Sequence, residues 1–431
     1  MKPYNAKLII PPYYTDKYEV SDYNLLFRCE SGYAVFNTVS TDIVMLDDLN
    51  INETDIDELL EMGFIVPAGT SELGAIRSEY ESREKFSDTF HIIIAPTLNC
   101  TFRCWYCYEQ HEQKYMSTEV ADAILRLIAS KAREGKNISV VWYGGEPLLN
   151  YSMILYLSER ILNICRIYDV GYRASMITNG YCFTDRMISE LDVLQIRSIQ
   201  ITIDGMKEEH EKRRPLIGGG ESFERIIANI RKIKVRSGAQ VKLRINVDQD
   251  NIEDAYRLVR CFANMGLTDL DLTLGLLKEF GCDHRCTTCN KLLFSTEEFA
   301  EEFVRFRRYI GELGFYNAYD KMQPEYKVNS CTLDCPDAYV IDPDGEVYKC
   351  ISQVGQTEHS IGNVQTGFNE FAHLRYTPYS RPECVKCVYF PICKGGCLNN
   401  TQLADSQRCE IWKYITGDLI EMDYLDAEES A

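Results

Sequence analysis

Short apolar runs alternate with longer amphipathic stretches from His91 onward. We expect the apolar runs to be strands, at Ile92–Pro96, Ile138–Tyr143, Arg173–Thr178, Ser198–Ile203, Lys242–Val247 and Asp271–Leu274. The amphipathic stretches predict helices, at Thr118–Glu134, Ser152–Tyr168, Phe223–Ser237 and Ile252–Met265. Strands that alternate with helices in this way predict an α/β fold with a parallel sheet and right-handed crossovers.

Capping residues support the boundaries of these helices. Polar residues that favour the N-cap position precede them, at Ser117, Asn150, Ser222 and Asn251. Glycines follow three of the helices, as expected of C-caps, at Gly135, Gly238 and Gly266.

The regions that flank this alternation have a different pattern. Residues 1–85 predict a small α+β unit with elements at Leu25–Phe27, Ala34–Asn37, Ile43–Leu46, Asp55–Met62 and Phe64–Val66, followed by a helical connector at Ser71–Asp88. Residues 316–431 contain eight cysteines. We therefore expect three domains, at 1–85, 86–315 and 316–431.

Composition excludes several classes of function. The chain has 431 residues, of which 45% are hydrophobic, so substantial cores are expected. Its net charge of −19 argues against nucleic acid as a partner, because phosphate binding depends on Lys and Arg. Neither a signal peptide nor an apolar stretch of about 18 residues is present, so we expect a cytoplasmic protein without a membrane partner. Eighteen cysteines in such a chain indicate metal binding rather than disulfides.

Three cysteines directly after the first predicted strand carry the clearest chemical signal. Cys100, Cys104 and Cys107 have the spacing C-x3-C-x2-C in CTFRCWYC. Three thiolates suit a 4Fe–4S cluster in which one iron has no protein ligand and is open to a substrate or cofactor. The alternative is a zinc site, which usually takes four closed ligands in pairs such as C-x2-C.

A second cysteine pattern lies near the C-terminus. It reads C-x9-G-x4-C, then C-x2-C-x5-C-x3-C, then one further cysteine, with Cys331 as an additional thiol. Two zinc sites are the alternative to iron–sulfur clusters here. Cys282, Cys286 and Cys289 repeat the C-x3-C-x2-C spacing but lack a comparable context. They could bind zinc together with His284, hold a further cluster, or form a reactive loop, and we leave them unassigned.

The stretch CTFRCWYCYE resembles the signature of the radical S-adenosylmethionine (SAM) enzymes. The resemblance implies a partial (β/α)6 barrel in which Cys100, Cys104 and Cys107 hold a 4Fe–4S cluster. The amino and carboxylate groups of SAM then chelate the fourth iron, and reductive cleavage of SAM yields a 5′-deoxyadenosyl radical that abstracts hydrogen.

Further motifs resemble elements of the SAM pocket in that family. Gly144, Gly145 and Glu146 of GGEP match the element that recognises the methionine amino group. Arg214 in HEKRR is implied as a partner of the SAM carboxylate, although this charged stretch could equally be the solvated start of a helix. The remaining implied lining residues are Tyr106 beside the adenine, Thr202 at the ribose, Asn179 and Asn246.

The C-terminal pattern resembles the SPASM extension, which carries two auxiliary 4Fe–4S clusters. The family's interleaved ligation implies one cluster on Cys331, Cys335, Cys350 and Cys397, and a second on Cys384, Cys387, Cys393 and Cys409. Residues 1–85 are similar to the winged-helix-like units that bind leader peptides. The alternative is a structural extension that packs on the barrel.

These resemblances imply a maturase of ribosomally made precursor peptides that forms a thioether or carbon–carbon cross-link. A flavodoxin or ferredoxin is the implied electron donor. A formylglycine-generating, sulfatase-maturing enzyme is the alternative, but Ile351 stands where such members carry an acidic residue. A non-catalytic iron–sulfur or zinc scaffold is the third hypothesis.

Overall fold

A computed structural model describes residues 2–29, 32–277, 293–315, 324–399 and 409–429, with only the backbone of 83–86 and 423–429. Its N-terminal unit has the elements β1 (Tyr18–Val20), β2 (Asn24–Cys29), β3 (Gly32–Asn37), β4 (Ile43–Leu46), α1 (Ile56–Glu61), β5 (Ile65–Pro67) and α2 (Glu72–Phe86). Strands β2, β3 and β4 form an antiparallel sheet, and β1 pairs with β5.

The alternating side chains of β2 explain how this unit is held in place. Leu26 belongs to the unit's own core, whereas its neighbours Leu25 and Phe27 face the other way. They pack against Tyr389 and Ile392 of the C-terminal region. The apolar clusters of the described residues therefore join the N-terminal unit to the cysteine-rich region, and not to the barrel as a structural extension was expected to do.

The central domain begins at β6 (Thr89–Ile94). Five more strands follow, β7 (Asn137–Trp142), β8 (Tyr172–Thr178), β9 (Ile196–Thr202), β10 (Gln240–Val247) and β11 (Asp271–Leu276). The helices of this domain are α3 (Thr118–Arg133), α4 (Tyr151–Tyr168), α5 (Asp185–Glu190), α6 (Lys207–Arg213), α7 (Phe223–Arg236), α8 (Ile252–Asn264) and α9 (Thr296–Glu312). Neighbouring strands from β6 to β11 are all parallel, so the predicted α/β barrel of six strands is confirmed.

The C-terminal region extends the same sheet. Its elements are β12 (Ala338–Ile341), β13 (Val347–Tyr348), β14 (Gly362–Asn363), β15 (Gly367–Phe368), α10 (Pro382–Val385), α11 (Phe390–Cys393) and α12 (Trp412–Glu429). Strand β12 pairs in parallel with β6, and β13 pairs antiparallel with β12. The sheet therefore has eight strands and continues across the predicted domain boundary at residue 315.

Some predicted caps are wrong in detail. The Ser117 side chain accepts a hydrogen bond from the Val120 N–H, and Gly135 and Gly266 adopt positive φ, as predicted. Helix α7 instead ends on extended Ser237, so Gly238 is not a left-handed cap. The polar residues before α4, α7 and α8 make no side-chain cap. Asn150 and Asn251 donate instead to the backbone carbonyls of Pro96 and Asp204, and the Ser222 hydroxyl donates to Glu211 of α6.

The barrel core consists of aliphatic side chains from both faces of the parallel strands. This packing brings the carboxyl ends of β8, β9, β10 and β11 to one side, where Thr178 ends β8, Thr202 ends β9 and Asn246 is the last residue but one of β10. Among the described helices, none has the length and apolar content needed to cross a membrane.

Candidate active site

The three cysteines after β6 line a cavity of about 520 Å³ at the carboxyl ends of the strands. Cys100 is buried, and Cys104 and Cys107 are half-buried. Burial raises the pKa of the Cys107 thiol to about 12, and the nearby charge of Glu109 adds to the rise. The isolated thiols would thus stay protonated, and a metal must displace those protons to bind.

The two glycines after β7 hold the cysteine loop by close backbone packing. A Cβ on Gly145 would lie 2.4 Å from the Asn99 carbonyl oxygen and 2.5 Å from that of Leu98. Gly144 has φ of +115°, and a Cβ there would meet the Thr97 carbonyl at 2.4 Å. Glycine is required at both positions because any side chain would push the loop away.

The Glu146 carboxylate is fully buried behind the cavity and does not line it. It accepts hydrogen bonds from the Thr178 hydroxyl at 2.7 Å and from the backbone N–H of Asn179 at 2.8 Å. It also accepts one from the Leu148 N–H at 3.1 Å. These bonds tie the end of β8 to the glycine turn, so the side chain positions the loop that reaches the cysteines.

Asn179 connects this network to the thiols. Its amide Nδ2 lies 3.9 Å from the Cys100 sulfur and donates to the Thr101 hydroxyl at 3.2 Å. A donor beside a ligating sulfur is one means by which proteins adjust an iron–sulfur cluster.

A second network surrounds the hydroxyl of Tyr106. The hydroxyl donates a short hydrogen bond to Asp204 and accepts from Arg214 at 2.7 Å and from the Asn246 amide at 3.1 Å. The Asn246 N–H also donates to Asp204 at 3.1 Å. Burial raises the pKa of Tyr106 well above its ordinary value, so the hydroxyl remains a donor. Asp204, two positions after Thr202, was not predicted as part of the site.

Helix α6 is not solvated along the stretch that carries the two arginines. Arg213 is almost fully buried and pairs with the buried Asp248 at 2.9 Å. Arg214 is buried too, and its guanidinium lines the cavity. The alternative in which HEKRR begins a solvated helix is therefore wrong for both arginines.

Glu109 is a cavity residue that the sequence did not single out. Its side chain is buried, and its Oε2 has no hydrogen-bond partner among the described residues. Burial raises the carboxyl pKa to about 7, although a hydrogen bond with Tyr143 opposes the rise. The Tyr143 hydroxyl lies 2.6 Å from that of Tyr108. The residue stands two positions after Cys107 in the signature, but burial is not visible in a motif.

The C-terminal cysteines form two groups. One group lines a separate cavity of about 210 Å³, and its members are Cys384, Cys387, Cys393 and Cys409. The pKa of the Cys331 thiol is raised to about 12 because its sulfur is desolvated, and the nearby Asp334, Cys350 and Cys397 add to the rise. The assignment of these cysteines to two clusters stays a prediction.

Across residues 2–29, 32–277, 293–315, 324–399 and 409–429, no three His, Cys, Asp or Glu side chains are arranged to hold one metal ion. The unassigned Cys282, Cys286 and Cys289 lie outside the described residues.

A three-thiol loop after the first strand of a parallel barrel, closed by a glycine turn, is the arrangement that the resemblance to radical SAM enzymes implied. Residues 94–262 match the family model described as the Radical SAM superfamily, whose members are enzymes, and the protein is an enzyme. The matched family implies a 4Fe–4S cluster and SAM as cofactors.

Three similar proteins extend this result. The radical SAM cyclopropyl synthase TigE of Paramaledivibacter caminithermalis is 22% identical over 88% of this chain and 84% of its own. A solved structure of native anSMEcpe with bound AdoMet and Cp18Cys peptide is 18% identical, covers 78% of this chain and 99% of its own, and has a TM-score of 0.60. Streptococcus suis SuiB bound to precursor peptide SuiA is 13% identical, covers 91% and 98%, and has a TM-score of 0.53. Both structures support the fold.

The structure brings nearly all predicted cofactor residues to one cavity. The residues that line it with the three cysteines are Tyr106, Gly144, Gly145, Asn179, Thr202, Arg214 and Asn246. Glu146 alone among the predicted SAM residues lies behind the wall. The individual role of each residue toward SAM stays a prediction.

Proposed function

We propose that this protein is a radical SAM/SPASM maturase that cross-links a ribosomally made precursor peptide. One observation carries the proposal. Ile351, which directly follows Cys350, lines the same cavity as Cys100, Cys104 and Cys107. A first auxiliary cluster on the Cys350 side would therefore adjoin the place where a substrate radical forms.

When bound, SAM and its cluster would supply a 5′-deoxyadenosyl radical, at the cost of one electron from a flavodoxin or ferredoxin. That radical would take one hydrogen atom from a peptide carbon. Closure of the carbon on a thiol or an aromatic ring would release one proton and one electron, and auxiliary clusters held by the C-terminal cysteines could accept that electron.

The cavity walls support the proposed placement of SAM. Arg214 presents a guanidinium that pairs well with a carboxylate. The backbone of Gly144 and Gly145 is open to a close approach by the amino group, and Thr202 offers a hydroxyl for the ribose. The Tyr106 hydroxyl donates a hydrogen bond to Asp204, which fixes the Tyr106 side chain in the cavity wall.

The N-terminal unit is proposed to bind the leader of the peptide. Strand β4 pairs with β3 on one side, and no described strand pairs with its other edge. A free sheet edge accepts an extended peptide through main-chain hydrogen bonds. The solved SuiB structure is bound to its precursor peptide SuiA, and its likeness covers 91% of this chain.

Deuterium transfer tests the proposal directly. The reconstituted enzyme, SAM, a strong reductant and a short peptide encoded beside the gene, deuterated at carbon, are incubated without oxygen. We expect deuterium in 5′-deoxyadenosine and a cross-linked peptide that has lost two hydrogen atoms. A Cys104→Ala variant serves as the blank. Absence of transfer from every co-encoded peptide would contradict the proposal.

A formylglycine-generating function is the second candidate because Glu109 brings to the cavity the carboxylate that is missing at Ile351. The same reaction distinguishes the two products. A peptide aldehyde reacts with a hydrazide probe, whereas a thioether or carbon–carbon cross-link does not.

A further inference from the structure

Arg244 is a second arginine in the cavity of the three cysteines, and the proposed chemistry has not used it. It lies in β10 between Leu243 and Ile245, which are buried in the barrel core. Arg244 itself is half-buried and lines the cavity. Side chains alternate between the two faces of a strand, so the sequence of β10 directs this arginine into the barrel.

A glycine in the next strand makes room for the guanidinium. Gly275 of β11 pairs in register with Asn246, which is closer to the cavity mouth than Arg244. A Cβ at Gly275 would lie 2.5 Å from Nη2 of Arg244 and 2.6 Å from its Cζ. The guanidinium therefore lies against the bare backbone of β11 and extends toward the mouth, in a place that a side chain at this position would fill.

The guanidinium keeps most of its donors. Its Nε donates to the side-chain oxygen of Asn246 at 2.8 Å. Across the described part of the chain, the Arg244 side chain forms no ion pair and no second hydrogen bond. The N–H groups of both terminal nitrogens therefore remain available to a ligand, and their planar fork matches the two oxygens of a carboxylate.

Hydrogen bonds connect Arg244 to Arg214. The Asn246 amide donates to the Tyr106 hydroxyl at 3.1 Å, and Arg214 donates to the same hydroxyl at 2.7 Å. With the bond from Arg244 to Asn246, this chain fixes two guanidinium groups in one cavity. Two cations thus face a single carboxylate among the described lining residues, that of Glu109.

SAM accounts for one of the two guanidinium groups. It carries a single carboxylate, which the proposed function assigns to Arg214. The Nε of Arg214 is buried without a hydrogen-bond partner among the described residues, so a ligand there would satisfy it. The Asp204 carboxylate does not line the cavity and already accepts from the Tyr106 hydroxyl and the Asn246 N–H. Arg244 is therefore left for a carboxylate of the peptide, the other ligand that the proposed function brings to this cavity.

We infer that Arg244 binds a carboxylate of the precursor peptide and thereby selects a substrate with an acidic group close to the modified carbon. This inference rests on the proposed function. Arg244 and the three cysteines line one cavity of about 520 Å³, which keeps the acidic group near the reacting carbon. The group is an Asp or Glu side chain or the C-terminal carboxylate of the peptide, since all three present the same pair of oxygens. Arg244 determines specificity, because it contacts the substrate and takes no part in bond making.

Steady-state kinetics with matched peptides test this inference on the full-length reconstituted enzyme. The probe is the co-encoded peptide that transfers deuterium to 5′-deoxyadenosine. In its variants, Asp is replaced by Asn or Glu by Gln at one position at a time, or the C-terminus is amidated. We expect Arg244→Met to lower kcat/KM for the peptide roughly thirtyfold or more, and one peptide variant to lower it similarly with the native enzyme. Which variant does so distinguishes a side chain from the C-terminus.

Combination of the two changes separates a direct contact from an indirect effect. Arg244→Met together with that peptide variant should lose no more than either change alone, because both remove the same contact. SAM cleavage without peptide should stay within about twofold of the native rate, since the lost interaction is with the peptide. Arg244→Lys keeps the charge without the planar fork and should recover part of kcat/KM.

Lys242→Met is the matched control, since it removes a cation from the same strand that does not line the cavity. Lys242 pairs with Asp271 at 3.7 Å, and its loss should leave kcat/KM unchanged.

Native kcat/KM in Arg244→Met would overturn the inference, and so would native kcat/KM of every peptide variant. Loss of peptide-free SAM cleavage in Arg244→Met at full iron content would also overturn it, because the arginine would then belong to SAM. If Arg244→Met does not load iron, the peptide variants decide the question with the native enzyme. Absence of deuterium transfer from every co-encoded peptide to the native enzyme would instead overturn the proposed function.

Discussion

The barrel mouth and the C-terminal cysteine region both gather thiols, but they are built differently. At the barrel mouth, Thr178 ends β8 and Asn246 is the last residue but one of β10, and hydrogen bonds to Glu146 and to Tyr106 hold their side chains. In the C-terminal region, the described strands have two to four residues, and helices α10 and α11 have four each. Protein groups alone hold the first site, whereas we expect the second to depend on a bound metal.

Removal of iron should separate the two regions most strongly. Binding of a structural metal contributes directly to folding, so the apoprotein should lose order first in residues 324–399. Limited proteolysis should cut this region roughly tenfold faster or more in the apoprotein, because cleavage follows the open population. Cleavage sites mapped by mass spectrometry provide the measurement.

The N-terminal unit should become susceptible together with residues 324–399, since Leu25 and Phe27 pack on that region. Sites within β6–β11 should stay protected and serve as the internal control. Equal protection of all regions without iron would show that the C-terminal region is as self-sufficient as the barrel.

Gly145→Ala should break the barrel mouth. Its Cβ would meet two carbonyl oxygens of the cysteine loop at 2.4 and 2.5 Å, and the loop must shift. Misplacement of reacting groups by about 1 Å costs on the order of a hundredfold in rate. The measurement is 5′-deoxyadenosine formation from SAM without peptide.

Gly135→Ala is the control for this change. Gly135 also has positive φ, +84°, but a Cβ there would meet nothing within 4 Å. It should lose about 1 kcal/mol of stability and retain SAM cleavage. Full activity of Gly145→Ala would mean that the loop does not need the close backbone contact.

Asp248→Asn should test how far the barrel depends on its buried ion pair. The change removes the nearer of two carboxylates that pair with the buried Arg213 and leaves only Glu209 at 3.8 Å, so we expect a loss of about 3 kcal/mol of unfolding free energy. Urea unfolding monitors the effect. Arg197→Gln breaks an exposed pair with Asp192 and should cost less than about 1 kcal/mol. Equal losses in the two variants would contradict the distinction.

His210 should give the smallest effect, through pH. Burial lowers its pKa from 6.5 to about 3, and the charge of Arg214 adds to the fall. The folded pKa is below the unfolded one, so this stability is present above pH 6.5 and is lost as pH falls. At pH 5.5 the loss is about 1.4 kcal/mol.

His210→Phe should flatten this dependence, because a phenyl ring packs on Phe102 and Phe223 without titrating. Unfolding free energies at pH 7.5 and 5.5 are compared for the native protein, His210→Phe and the exposed control His359→Gln. If the unfolding free energy of His210→Phe changes between pH 7.5 and 5.5 as much as that of the native protein, other groups cause the pH dependence.

The regular part of the fold could be predicted from sequence because it depends on local periodicity. The predicted run Ile43–Leu46 coincides with β4, and Phe223–Ser237 exceeds α7 by one residue. The short run Ala338–Ile341 was not predicted as a strand. It becomes one by pairing with β6, more than 240 residues earlier, and no local pattern indicates such a partner.

The residues of the site also divide into those that a local sequence pattern predicts and those that only the fold brings together. Motif residues such as Cys100, Gly145 and Arg214 could be placed because their spacing is a sequence property. The hydrogen bonds of the Tyr106 hydroxyl could not be predicted, since its partners Asp204 and Asn246 come 98 and 140 positions later in the chain. Glu109 was not predicted because the burial of its carboxylate, and the lack of a hydrogen-bond partner for its Oε2 among the described residues, follow from the fold.

The pairing of β12 with β6 has a practical consequence for anyone who isolates the catalytic domain. In a fragment that ends at residue 315, the main chain of His91–Ile94 would lose the strand Ala338–Ile341 with which it pairs. Bare strands of this apolar composition recruit one another between molecules and precipitate. The segment Ala338–Ile341 thus also protects the barrel from aggregation, and a truncated protein must retain it.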